Sequence, residues 1–279
     1  MTAAIGAHVS VAGGLLKALP RAEAIGAEML QIFVANPRGW ALPPADPAGD
    51  EEFRAITAER GIPVFIHAPY LINFGSPSAA TLEKSAEALA FSLRRGAAIG
   101  AKGVIMHAGS SVLNLTWDEA TLQVRERVLP LLDAVGAAPE LLVEPTAGGG
   151  GALASTAESL HDFLDVLDRD ERIGVCIDTC HMHAAGTDMS TPASFAAALR
   201  SYAKAAGKPG IRAVHVNDSR DPVASKRDRH EALGKGTIGP TPFAELFKSP
   251  ATRRLPLIVE TAEADIPTDI ATLKALRNR

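Results

Sequence analysis

Six times along this chain a short apolar run ends on a histidine or a carboxylate, and no other feature restricts the fold so strongly. Ile62 to Ile66 runs into His67, Val104 to Met106 into His107, Leu141 to Val143 into Glu144, Gly174 to Ile177 into Asp178, Ala213 to Val214 into His215, and Leu257 to Val259 into Glu260. Runs this short and this apolar are the mark of parallel strands buried on both faces. Their end points lie roughly 35 to 45 residues apart, the length of a strand, a helix and two loops. The economical arrangement is an α/β fold, a (β/α)8 TIM barrel, whose strands all point their C-terminal ends at one rim, where such barrels carry their chemistry.

The chain's 279 residues, 47% of them hydrophobic, suffice for one such catalytic domain spanning 1–279. No apolar stretch approaches the roughly 20 residues needed to span a bilayer, and the Met-Thr-Ala-Ala-Ile start lacks a basic segment ahead of an apolar one. The expectation is a soluble, cytoplasmic protein with no membrane partner and, with no coiled coil evident, a monomer. Cys176 and Cys180 sit too close along a strand and turn for an easy disulfide and fit a reducing compartment. They read as small buried side chains, with metal ligation as the alternative. The net charge of −4 gives no overall footprint of a nucleic-acid binder. Locally, Arg220, Lys226, Arg227, Arg229 and Lys235 crowd one loop-like segment, which could attract phosphate or simply be a solvated loop.

Eight strands are expected at 3–8, Met29 to Phe33, Ile62 to His67, Gly103 to His107, Glu140 to Glu144, Ile173 to Asp178, Ile211 to Val216 and Leu255 to Glu260. Helical patterns fall between them: Leu15 to Ile25, Glu51 to Arg60, Thr81 to Ile99, Asp118 to Val135, Ser155 to Leu167, Pro192 to Ala205 and a short Pro242 to Phe247. The Pro/Gly-rich segment 34–44 carries Arg38 and Trp40, and Tyr70-Leu71-Ile72-Asn73 follows the third strand. Both are rim loops in this scheme. Gly234-Lys235-Gly236-Thr237-Ile238-Gly239 matches G-x-G-x-x-G, but it follows a charged loop rather than a strand opening a βαβ unit, so the match is read as incidental. The glycines 148–151 after Glu144 read as a rim loop or a phosphate cradle.

Nine potential ligands gather on that rim: His67, His107, Glu144, Asp178, His181, His215, Asp228, His230 and Glu260. Imidazole and carboxylate donors suit zinc, manganese or iron in a catalytic setting. Nine are too many for one tetrahedral ion and about right for three ions with open positions and a bridging carboxylate, which favours a multinuclear hydrolytic site. His8 and His183 could orient ligands, touch substrate or simply pack.

Taken together, Gly6-Ala7-His8-Val9-Ser10 with Gly13-Gly14, His67 to Asn73, His107-Ala108-Gly109-Ser110, Asp178-Thr179-Cys180-His181, His215 to Ser219 and Asp228-Arg229-His230 through Gly239 resemble the endonuclease IV family of zinc-dependent apurinic/apyrimidinic endonucleases, in order and over essentially the whole chain. The resemblance implies three zinc ions, with manganese an option at one site: His67, His107 and Glu144 on the first; Glu144, Asp178, His215 and Glu260 on the second; His181, Asp228 and His230 on the third. Glu144 and Glu260 would be catalytic. The implied reaction is hydrolysis of the phosphodiester 5′ to an abasic site in double-stranded DNA by a metal-activated hydroxide, leaving a 3′-hydroxyl and a 5′-deoxyribose phosphate, together with trimming of blocked 3′ ends. Arg38, Tyr70 and Leu71 match the family's DNA-inserting loops and would fill the gap of the missing base. Ala108 and Pro145 depart from the family's usual Pro and Asn, and Pro145 removes a backbone donor beside Glu144.

Two rivals share parts of this pattern. A metal-dependent sugar isomerase or epimerase of the same barrel type would use strand-end Glu, Asp and His but would not require Asp228, His230 and His181. A catalytically silent binder of damaged DNA would keep the metals for structure alone.

Overall fold

The computed structural model describes residues 2–136 and 139–279. The chain runs β1 (Ile5–His8), α1 (Ala18–Ala24, led in by a 3-10 turn at Leu15–Lys17), β2 (Leu30–Ile32), α2 (Pro47–Glu59), β3 (Val64–His67), α3 (Ala79–Ile99), β4 (Gly103–His107), α4 (Trp117–Val135), β5 (Glu140–Glu144) and α5 (Ala157–Val166). It continues through β6 (Ile173–Asp178), α6 (Thr179–Ala184), α7 (Pro192–Ala206), β7 (Ile211–His215), the two-residue strands β8 (Asp218–Ser219) and β9 (His230–Glu231), α8 (Glu245–Lys248), β10 (Leu257–Val259) and α9 (Ile266–Arg277). Strands β1, β10, β7, β6, β5, β4, β3 and β2, in that order, close into a barrel, and every neighbouring pair is parallel. This is the expected TIM barrel.

Because side chains alternate along a strand, each strand serves two cores. Ile66, Val104, Met106, Leu141, Val143, Val175, Ile177, Val214 and Val259 point outward into the shell of helices. Met29, Phe65, Ile105, Leu142, Cys176, Ala213 and Ile258 point inward and fill the barrel. Two residues beyond each inward position, on the same face of its strand, stand Gln31, His67, His107, Glu144, Asp178, His215 and Glu260. The ligand set is therefore the next interior layer of the barrel, stacked on an apolar plug. Gly6 is the small residue this closure needs on β1, since a Cβ there would fall 2.0 Å from the carbonyl oxygen of Met29.

Side-chain caps start five of the longer helices. Asp46 caps α2 and Ser78 caps α3, while α4, α5 and α7 open on capping boxes led by Thr116, Thr156 and Thr191. The sequence-based expectation places no element after Glu260, and α9 corrects it. Its buried stripe is Ile266, Asp269, Ile270 and Leu273, so a carboxylate stands where the helical period calls for an apolar residue. Asp269 is tolerated there because it accepts hydrogen bonds from the Thr261 hydroxyl at 2.7 Å and the Leu233 N–H at 3.1 Å. The one-and-a-half-turn α6 is a second element that the apolar pattern does not announce. Among the described residues no helix is long and apolar enough to cross a membrane.

Candidate metal centre

All nine expected ligands meet at the C-terminal rim, and the fold delivers them in three ways. Strand ends bring His67, His107, Glu144, Asp178 and His215, with Glu260 just past β10. Lateral pairing sets His107 beside Glu144 and Asp178 beside His215. Asp178 then brings in His181. As N-cap of α6 its carboxylate accepts the His181 N–H at 2.9 Å, which turns that imidazole back over the strand end within one helical turn. Finally, the β8–β9 ribbon pairs Ser219 with His230, folding the loop that carries Asp228 and His230 over the mouth.

That last loop is held from beneath. The buried Asp218 carboxylate accepts five backbone N–H groups: Ser219 and Ile238 at 2.7 and 2.9 Å, and Gly234, Gly236 and Gly239 at 2.9, 3.1 and 3.2 Å. The G-x-G-x-x-G segment is thus a nest of amides around an internal anion, not around a dinucleotide. A Cβ at Gly236 would lie 2.5 Å from Asp218 Oδ1, so the nest closes only around a glycine.

Donor atoms converge in small groups: His67, His107 and Glu144; Glu144, Asp178 and His215; Asp178, His181 and His230; and Cys180, Asp228 and His230, each group within 4.8 Å. Glu144 belongs to two groups, with Oε2 lying 3.4 and 3.5 Å from the Nε2 atoms of His67 and His107, and Oε1 3.0 Å from His215 Nδ1. Three of these buried atoms, Glu144 Oε2, His181 Nε2 and His230 Nε2, have no hydrogen-bond partner among the described residues. The two Nε2 atoms approach the same Asp228 oxygen, at 3.2 and 3.1 Å, without donating to it. Buried ligand atoms left without partners, one facing His67 and His107 and two facing Asp228, are what cations would satisfy. The residues present therefore fit divalent metals.

Outer partners aim the ligands. His181 Nδ1 lies 3.1 Å from the Pro145 carbonyl, so the departure at 145 keeps the group that orients this imidazole. Asn217 donates to Asp178 Oδ2 at 2.7 Å and its side-chain carbonyl accepts from the Glu260 N–H. Gln31 bridges Glu260, His215 and His8. Asn217 and Gln31 escape a reading of the sequence because neither is a usual ligand. The signal for Gln31 is a polar residue amid the apolar run Met29 to Phe33.

The electrostatics follow from packing charge out of water. Burial pushes His107 down to about 4, and burial together with His67 and His215 pushes His8 down to about 3. At His230 burial also works downward, but Asp178, Asp228 and Glu260 outweigh it and lift the imidazole to about 9. His181 and His215 go well up for the same kind of reason. Burial would raise Glu144, yet His215 and His107 hold it well below the usual carboxylate range. Burial lifts Cys176 to about 11 and Cys180 to about 12, so both buried thiols stay protonated, as packing side chains do.

A cavity of about 460 Å³ opens on these ligands, lined by Arg38, Tyr70, His67, His107, His181, Asp228, His230 and Glu260. Arg38 from the loop after β2 and Tyr70 from the loop after β3 therefore overhang the centre. The Tyr70 ring packs 5.2 Å from His67 and 5.6 Å from His107, while Leu71 beside it is exposed. The basic cluster is largely neutralised. Arg227 and Arg229 pair with Asp221, Arg220 with Glu231 and Lys235 with Asp265, leaving Lys226 without such a pair among the described residues. His183 is buried away from the donor groups and contacts the Met189 N–H and the Thr237 hydroxyl.

Residues 19–276 match a family model described as a xylose isomerase-like TIM barrel. A protein from Streptomyces avermitilis named probable endonuclease 4 is 46% identical over 98% of this chain and 90% of its own length. Its counterpart in Streptomyces coelicolor is 45% identical over 98% and 95%. The crystal structure of endonuclease IV from Thermus thermophilus covers 99% of both chains with a TM-score of 0.86 and 33% identity. An L-ribulose 3-epimerase structure matches with a TM-score of 0.70 at 19% identity over 98% of this chain and 96% of its own, a likeness of fold alone.

Proposed function

The chain belongs to the endonuclease IV family, and from that membership we propose a DNA-repair hydrolase that cuts the phosphodiester 5′ to an abasic site, leaving a 3′-hydroxyl and a 5′-deoxyribose phosphate, and that trims blocked 3′ ends in the same centre. The observation that carries this reading is the approach of His181 and His230 to one oxygen of Asp228. Asp228 and His230 arrive on their own ribbon to meet His181 beside the two strand-end groups, an investment that single-metal or two-metal sugar chemistry does not require.

His67, His107 and Glu144 would hold one ion, Glu144, Asp178, His215 and Glu260 a second, and His181, Asp228 and His230 a third, each zinc on the family's pattern, with manganese an option at one site. Divalent cations there would draw charge from the phosphate oxygens and make water a nucleophile near neutral pH. The chain's own part is positioning. Glu144, shared between two groups, keeps the first two positions adjacent, and Glu260 and Asp178 offset their charge. Arg38 and Tyr70, at the lip of the cavity, would meet the DNA backbone and the space left by the missing base, with exposed Leu71 wedged into the stack. A nucleotide without a base has little stacking to lose, so its withdrawal to the rim costs least at the lesion.

The test uses purified protein and a labelled duplex with one abasic site, with and without chelator. The expected result is a single nick 5′ to the lesion with a 3′ end that a polymerase extends, abolished by chelation and restored by zinc. Binding without nicking would make the protein a silent damage binder. Interconversion of a ketose and an aldose, with the duplex intact, would return the barrel to sugar chemistry.

A further inference from the structure

Gln31 is fully buried on β2, one interior position above Met29 in the barrel plug. Its amide nitrogen donates to Glu260 Oε1 at 2.6 Å and lies 3.0 Å from His8 Nδ1, and its oxygen lies 2.8 Å from His215 Nε2. These contacts leave no freedom in the assignment of protons. A carboxylate only accepts, so the amide nitrogen must face Glu260. The amide oxygen then faces His215 Nε2 and can only accept from it, so Nε2 carries hydrogen. The nitrogen left for a cation is Nδ1, which looks at Glu144 Oε1, Glu260 Oε2 and Asp178 Oδ2 across 3.0, 3.3 and 3.9 Å. The second amide hydrogen goes to His8 Nδ1, which makes His8 Nε2 the protonated nitrogen on the wall of a neighbouring cavity of about 690 Å³.

We propose that Gln31 is a positioning residue that fixes the Nε2–H tautomer of His215 and turns Glu260 so that both present their metal-binding atoms to the second cation position. The proposal rests on reading the rim as a metal centre. Gln31 touches neither metal nor substrate and acts through the two ligands it grips. No solvent reaches this site to replace the amide, since Gln31 and His215 have no exposed surface. Losing it leaves one imidazole free to swap tautomers and one carboxylate free to rotate away. Outer-shell partners of this kind are worth about 10- to 100-fold in metal affinity.

The experiment compares zinc-loaded wild type with Gln31→Leu and Gln31→Glu. Long-range proton–nitrogen spectra of histidine-labelled protein report which nitrogen of His215 carries hydrogen, and transfer of zinc to a chromophoric chelator reports release of each equivalent. In the wild type the proton is expected on Nε2 alone. Gln31→Leu should release one zinc equivalent about 10- to 100-fold faster, the others unchanged, and should lose the single tautomer once that equivalent has gone. Gln31→Glu keeps an acceptor for His215 but repels Glu260, so it should retain the tautomer while still releasing that equivalent early. A wild-type proton on Nδ1, or release in both variants at the wild-type rate, overturns the proposal and leaves the metal centre standing. A wild type that takes up no zinc removes the metal reading beneath it as well.

Discussion

Replacing Asp218 with Asn should release the segment that carries Asp228 and His230, and with it the cation proposed for that group, while leaving the barrel folded. The side chain keeps its size but one of its two oxygens becomes an amide nitrogen that cannot accept. In the better orientation the Ser219 and Ile238 N–H groups lose their partner, and in the worse one those of Gly234, Gly236 and Gly239 do. Two charge-assisted hydrogen bonds at roughly 1.5–3 kcal/mol each put the cost at about 3–6 kcal/mol. Because the bonds all belong to one rim segment, that cost is met by local opening rather than by global unfolding. At about 1.4 kcal/mol per tenfold, 3 kcal/mol already raises exchange of these amides by about two orders of magnitude. Hydrogen exchange at 234, 236, 238 and 239, with elemental analysis after gel filtration, reads the outcome. Protection should collapse there, and bound metal should fall by one equivalent as Asp228 and His230 lose their register. Full metal content with unchanged exchange would show that the nest does not hold the third group.

Four further substitutions probe other parts of the molecule. Glu260→Gln removes a charge from the second position and sets an amide against Gln31, so nicking should fall by about 10²- to 10³-fold with KM for abasic duplex little changed; a near-normal kcat would contradict the proposed role. Leu71→Ala should weaken binding of abasic duplex about tenfold, the worth of one buried apolar side chain, with metal content intact, whereas Tyr70→Ala should disturb both because its ring packs on His67 and His107; identical effects of the two on metal would refute a wedge. Arg277 of α9 donates to Glu28 at 2.6 and 2.8 Å and to the Ala3 carbonyl at 2.7 Å, which ties the last helix to the strands that close the barrel. The Arg277 hydrogen bonds hold Glu28 below its ordinary 4.5. A depressed folded-state value means this stability is present above about 4.5 and is lost as pH falls toward the folded value. Arg277→Ala should therefore cost about 1 kcal/mol at pH 7 and flatten the acid limb of the melting curve below about pH 4.5; an unchanged limb would refute the linkage.

How much of this is legible in the sequence depends on the kind of signal each residue leaves. Strand-end ligands announce themselves, because a histidine or carboxylate closing an apolar run is costly to bury without purpose. The i to i+3 spacing of Asp178 and His181 is visible, but that it is an N-cap and its third helical residue emerges only with α6. Strands β3 and β10 start later than their apolar runs, at Val64 and Leu257, since apolar character continues into the preceding loop where pairing has not begun. Helix α9 is hidden by Asp269 in its buried stripe, and the glycine motif by an anion that belongs to another segment. Gln31 and Asn217 are illegible as site residues because an amide bears no charge or ligand chemistry of its own. Their function lies in what they grip.

The division of the barrel into layers explains how such a rim is tolerated at all. Glu144 and Asp178 are buried with His67, His181 and His215, an arrangement that burial alone would penalise by about several kcal/mol per ion. The plug beneath it, from Met29 to Ile258, is wholly apolar apart from a thiol, and the outer core is separate again. Stability thus comes from layers that do not share residues with the rim. The surrounding carboxylates raise the proton affinities of His181, His215 and His230 despite burial. A cation held by the same nitrogens would compete with protons for them. The same carboxylates would draw cations to the rim, and the apolar layers below over-determine where each strand ends and so where each ligand stands.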